Sequence, residues 1–293
     1  MSSLFVFGLG YSSRAIGALL RERGWRVAGT VRSARKFAEI EAEGLSPLLF
    51  DDSTGIKRAL FTTSHCLVST PPGGQADPVL KAHSRALLNA RALRWIGYLS
   101  TIGVYGDRQG SWVDENTQAE PVTDRGAARI GAEEAWAAYS ADRGTSLDIF
   151  RLSGIYGPGR SPIDRIREGD ARRIIKPGQV FNRIHVADIA QTVVAAMLQD
   201  RAGGGVRLFN VTDDEPAPPQ DVVLYAAHVI GAPPPPEVQF DGAELSPMAR
   251  SFYADNKRVR NDKIKRDLGV RLRYPTYREG LRSLAQADDA SRL

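Results

Sequence analysis

The chain has 293 residues, 42% hydrophobic and 25% charged, with a formal net charge of +5; that is enough to bury a core in one large domain, or a main domain with a smaller lobe. One cysteine excludes an intrachain disulfide framework, the four histidines lack metal-ligand spacing, and no apolar run is long enough to span a membrane. The basic residues are spread among 34 acids without a nucleic-acid signature, so the charge suits an anionic cofactor and substrate, and with Arg14 interrupting any secretory signal the expected location is the cytoplasm.

In chain order, Leu4-Phe5-Val6-Phe7 reads as an apolar strand running into Gly8-Leu9-Gly10-Tyr11-Ser12-Ser13 and then a helix over about residues 12–23. Backbone N–H groups at such a helix start receive a pyrophosphate. Gly8 permits the tight turn and Gly10 lets the backbone approach the phosphates, while Ser13 stands where a third glycine is usual. Tyr11, Ser12 and Ser13 join the two glycines as expected cofactor contacts.

A second strand, Trp25–Thr30, places Arg32 about twenty residues beyond the glycine turn, where a dinucleotide site reads the ribose 2′ position. No acid stands there, and a guanidinium suits a 2′-phosphate. NADP(H) is therefore the expected cofactor, with NAD(H) as the alternative. Arg32 and Arg35 also read as solvated charges opening the next helix.

Further strands are expected at Pro47–Phe50, Cys66–Ser69, Trp95–Ser100 and Leu147–Leu152. Helices are expected near Ser33–Glu41, Pro78–Arg94 and Arg125–Arg143. This alternation predicts an α/β fold with a doubly wound parallel sheet of Rossmann type, and Cys66 reads as a buried strand residue. Ligands in such sheets bind beyond the carboxyl ends of the strands, where Asp51, Ser69, Thr70, Pro71 and Thr101 lie. Asp51 would meet the adenine, and the Ser69-Thr70-Pro71 segment would pass the ribose and nicotinamide. Glycine and proline turns at Gly157-Pro158-Gly159, Lys176-Pro177-Gly178, Gly203-Gly204-Gly205 and Pro233–Pro236 mark a less regular second part. Residues 1–155 are mainly the dinucleotide-binding domain; residues 156–293 complete the sheet and form a smaller C-terminal substrate lobe.

Tyr98-Leu99-Ser100-Thr101-Ile102-Gly103-Val104-Tyr105-Gly106 resembles the active-site strand of the extended short-chain dehydrogenases/reductases, in their nucleotide-sugar epimerase/dehydratase branch. Arg151–Gly159, Arg183–Ala190, Phe209–Pro216 and the closing Leu268-Gly269, Tyr274-Pro275 and Glu279-Gly280-Leu281 continue that resemblance in the family's order. It implies a Rossmann-type domain with a small substrate lobe, and often a homodimer. Thr101 matches the family's Ser/Thr position, whose hydroxyl would bond a substrate oxygen.

The family's Tyr and Lys, four residues apart, align with Arg125 and Arg129. Arginine does not readily release its proton near neutral pH, so Arg129 is expected to hold the ribose or a phosphate. The proton donor would come from elsewhere: Tyr156, facing the nicotinamide, or Tyr105 or His185. The resemblance makes Arg183 the first substrate-anion residue, joined by Lys176, Arg250 and Tyr253; residues 246–258 read as a loop closing over a ligand. The expected function is an NADP(H)-dependent oxidoreductase acting on a small, anionic molecule. The alternatives are a non-catalytic redox sensor and a nucleotide-sugar epimerase or dehydratase, the chemistry that leans hardest on the missing tyrosine.

Overall fold

The computed structural model describes residues 2–74, 76–199, 201 and 204–290, so Gly203 of the expected glycine turn lies outside the described residues. Seven strands form one parallel sheet: β1 (Ser3–Phe7), β2 (Arg26–Val31), β3 (Ser46–Leu49), β4 (His65–Val68), β5 (Trp95–Thr101), β6 (Ser146–Leu152) and β7 (Gly205–Val211). Their order is β7-β6-β5-β4-β1-β2-β3. Parallel strands need crossovers, and the helices that make them cover both faces; in chain order the helices are α1 (Tyr11–Arg21), α2 (Phe37–Ala42), α3 (Ser53–Phe61), α4 (Pro78–Leu88), α5 (Asp124–Arg143), α6 (Pro162–Arg167), α7 (Val186–Leu198), α8 (Pro219–Val229), α9 (Pro247–Ser251), α10 (Asp262–Leu268) and α11 (Tyr277–Ala290). The chain winds one way from β1 to β3 and the other way from β4 onward, which opens a crevice at the carboxyl ends of β1 and β4.

β1 shows how the sequence builds both layers. Successive side chains on a strand point to opposite faces. Leu4 and Val6 enter one apolar cluster with Ile16 and Leu20 of α1 (Tyr11–Arg21) and with Ile189 and Val193 of α7 (Val186–Leu198). Phe5 and Phe7 enter the other, with Ile56 of α3 (Ser53–Phe61), Val79 and Leu87 of α4 (Pro78–Leu88) and Trp136 of α5 (Asp124–Arg143). The strand is therefore apolar at every position from Leu4 to Phe7. α4 stops at Leu88, short of the expected Arg94, because Asn89 ends it and its side chain donates to the Arg85 carbonyl (2.9 Å).

The second half supplies β7 and a smaller lobe. Short parallel pairs join Gly154–Tyr156 to Arg183–His185, Arg173–Ile175 to Glu237–Gln239, and Arg258–Val259 to Trp112–Val113. The lobe has its own core, in which Tyr156 and Ile163 pack with Val222 of α8 (Pro219–Val229) and with Tyr277 and Leu281 of α11 (Tyr277–Ala290). The 246–258 segment is no plain loop: it holds the helical turn Pro247–Ser251 and enters the Arg258–Val259 strand. Among the described residues no helix is long and apolar enough to cross a membrane.

Candidate cofactor and substrate cleft

The two glycines of the first turn do different work. Gly8 has φ +97°, and its N–H donates to Thr30 Oγ1 (3.0 Å). The Thr70 hydroxyl donates to the Phe7 carbonyl (3.0 Å), and a Cβ on Gly8 would lie 3.1 Å from Thr70 Oγ1. Thr70 therefore braces the turn. Gly10 precedes α1 with an ordinary φ of −97°, and a Cβ there would meet no protein atom within 4 Å. The first turn of α1 carries no acid, so its unpaired N–H groups face open space with their positive dipole end. Ser13 is fully buried and its hydroxyl has no partner among the described residues.

From Ser12 a cavity of about 1630 Å³ runs past Ser69, Pro71 and Pro72, then Thr101, Arg125 and Arg129, and on to Tyr156, Arg183, Tyr253 and Lys257. Seven arginines and lysines line it against four aspartates and glutamates. Focused positive potential of this kind attracts anions. Arg32 and Asp51 stand exposed beyond the ends of β2 and β3, outside the cavity wall. Lys176 and Arg250 are also outside it: both sit over the Phe240 ring, and they donate to the Tyr253 and Ala243 carbonyls, at 2.5 and 2.9 Å. They hold the segment that carries Tyr253, whose ring packs between Phe181 and Phe240.

At the carboxyl end of β5, Thr101 Oγ1 accepts from the Gly103 N–H (3.1 Å), which leaves its own proton to donate. Arg129 donates to the Leu99 carbonyl (2.8 Å) and the Tyr98 hydroxyl (3.1 Å), while Arg125 reaches over the Phe252 ring at 5.4 Å. Beneath them lies a buried network that the sequence reading missed. Ser100 donates to Glu133 (2.5 Å), and Arg151 grips the same carboxylate through two nitrogens (3.2 and 2.8 Å). The available signal was an acid on the buried stripe of α5, beside Ala132 and Trp136. Arg160, Arg165, Arg172 and Asp255 of the cavity wall were missed as well.

The expected proton donors are engaged elsewhere. The Tyr156 hydroxyl points at the Thr276 carbonyl (3.4 Å), and burial raises its pKa; this phenol belongs to the lobe core. The Tyr105 hydroxyl donates to Asn210 (2.7 Å). His185 caps α7, its Nδ1 accepting from the Ala187 N–H (3.2 Å). Burial, helped by Arg273, lowers its pKa from 6.5 to about 4, so the imidazole is neutral at pH 7 and is no acid there. An NMR titration of the ring should find it unprotonated until the pH approaches 4; a midpoint at the ordinary value would overturn this assignment.

At the far end, Arg183 donates through Nη1 to the Phe181 and Ala217 carbonyls (3.0 and 3.2 Å), which leaves Nε and Nη2 without a partner among the described residues. Burial works against its charge and the buried Asp213 supports it. Lys257 is paired with Asp255 at 2.6 Å. Across the whole cleft, the arrangement offers an anion-accepting turn, a hydroxyl donor at its middle and a fixed guanidinium beyond.

The model of the NAD dependent epimerase/dehydratase family matches residues 5–212. Protein YeeZ of Escherichia coli (strain K12) is 30% identical over 291 residues, covering 94% of this chain and 97% of that protein. The solved structure of a conserved protein of unknown function from Silicibacter pomeroyi DSS superposes with a TM-score of 0.89 at 49% identity, covering 99% of this chain and 100% of that one. The UDP-glucose 4-epimerase of Thermus thermophilus, in complex with NAD, shares the fold at a TM-score of 0.75 and 20% identity, with 98% of each chain covered.

Proposed function

This chain belongs to the NAD-dependent epimerase/dehydratase family, and on that premise we propose that it is an oxidoreductase using NADP(H) on a small anionic substrate. One observation carries the reading: the glycine-turn end and the Arg183 end are parts of one continuous cavity. The residues present fit the cofactor, since Gly10 leaves open the space a phosphate needs and the start of α1 faces it without an acid. Arg32, exposed at the end of β2, supplies a cation for a 2′-phosphate. The nicotinamide, when bound, supplies or accepts the hydride.

The chain's own part is binding and electrostatics. The Thr101 hydroxyl donates to the substrate oxygen, and Arg125 stabilises negative charge developing there without giving up a proton. Water supplies that proton. Arg129, tied to Leu99 and Tyr98, keeps the wall in place. Arg183 holds the substrate anion with its free N–H groups.

A panel of carbonyl carboxylates and phosphates, followed by nicotinamide absorbance, tests the reading. Turnover is expected, and Arg183→Ala should raise KM roughly 10- to 100-fold, the loss of one charge-assisted contact, with a smaller change in kcat. Arg125 and Arg129, which the sequence aligns with the usual proton-transfer pair, favour the redox sensor as second reading. Saturable NADPH binding with no turnover on any panel member would establish it in place of the enzyme.

A further inference from the structure

We propose that Arg160 is a cofactor-binding residue, reaching the dinucleotide's diphosphate from the smaller lobe's loop beside the start of α1; this rests on the cofactor reading above. Arg160 follows the Gly157-Pro158-Gly159 turn of the smaller lobe, 150 positions from Gly10 along the chain but beside the glycine turn in space. Two contacts fix that placement. The Tyr11 hydroxyl, from the first residue of α1, donates to the Pro158 carbonyl (3.0 Å), and the Arg160 guanidinium lies over the Tyr11 ring at 5.7 Å. The loop is held from within as well, by reciprocal backbone bonds between Gly157 and Arg160 (3.1 and 3.0 Å).

Arg160 lines the cavity, and it has no ion pair or hydrogen bond through its side chain among the described residues. Its position within the fold explains what that cation is for. The α1 N–H groups carry only partial positive charge, and a bound diphosphate would bring negative charge that a full cation beside the turn can meet. A guanidinium drawn over an aromatic ring is kept near it while its N–H edges stay free for phosphate oxygens. Tyr11 thus serves as the platform for Arg160 and as the tie that brings the lobe's loop over the turn.

Fluorescence and calorimetric titrations of Arg160→Ala and Arg160→Lys test the assignment, with three probes: NADPH, ADP-ribose (a diphosphate without nicotinamide) and adenosine 2′-monophosphate (neither). Arg160→Ala should weaken NADPH and ADP-ribose roughly 10- to 100-fold, as loss of a charge-assisted contact does. Adenosine 2′-monophosphate should bind as to the unaltered protein, and Arg160→Lys should recover part of the loss. The side chain is exposed, so neither change threatens the fold. Equal ADP-ribose affinity in Arg160→Ala and the unaltered protein would overturn the Arg160 assignment alone. An unaltered protein that binds neither NADPH nor ADP-ribose would overturn the cofactor reading and the Arg160 assignment with it.

Discussion

Glu133→Ala is expected to lower the midpoint of thermal unfolding by roughly 6–15 °C, the counterpart of losing about 3–5 kcal/mol when one member of a buried ion pair is removed. Glu133 and Arg151 are both nearly inaccessible, with side-chain exposures of 7% and 8%. Removing the carboxylate strands the guanidinium over the Tyr105 ring, 4.7 Å away, and takes the acceptor from Ser100. The cost comes from the uncompensated charge and not from the pair's net attraction. Replacing both partners together, as Glu133→Leu with Arg151→Met, should therefore recover most of the loss. Scanning calorimetry of the three proteins checks this; a Glu133→Ala protein that melts with the unaltered one would show that the pair does not hold α5 against β6.

Gly10→Val should separate folding from binding. The new Cβ meets no protein atom within 4 Å, at a φ that any residue adopts, so stability should change by no more than about 1 kcal/mol, the scale of an altered helix cap. NADPH affinity should fall more than about 100-fold, because the added methyl groups stand where the backbone must approach phosphate. Gly8→Val makes the contrast: at φ +97°, with Thr70 against it, it should damage the fold as well. Circular dichroism with cofactor titration distinguishes the two, and intact binding by Gly10→Val would place the phosphates elsewhere.

What could be read from the sequence was local. The apolar run of β1, the glycine turn and Thr101 at the end of β5 each announce themselves within a few neighbouring residues; the structure buries the first in the two core layers and opens one cavity from Ser12, beside the glycine turn, past Thr101. What escaped depends on partners far along the chain. Tyr156 looks free at a strand end until its hydroxyl meets Thr276, 120 residues later. Lys176 and Arg250 look like anion ligands until both are seen over the Phe240 ring, donating to the Tyr253 and Ala243 carbonyls. Glu133 and Arg151 sit on a helix and a strand whose pairing no periodicity records. Arg160 gains its place only because Tyr11 bonds to a loop 147 residues away.

Whether the cleft is a dinucleotide site preferring NADP(H) is decided most directly by a fluorescence titration of the purified protein with NADPH and with NADH. Saturable NADPH binding is expected, tighter than that of NADH and lost in Gly10→Val. Binding of neither nucleotide by a demonstrably folded protein would contradict the assignment.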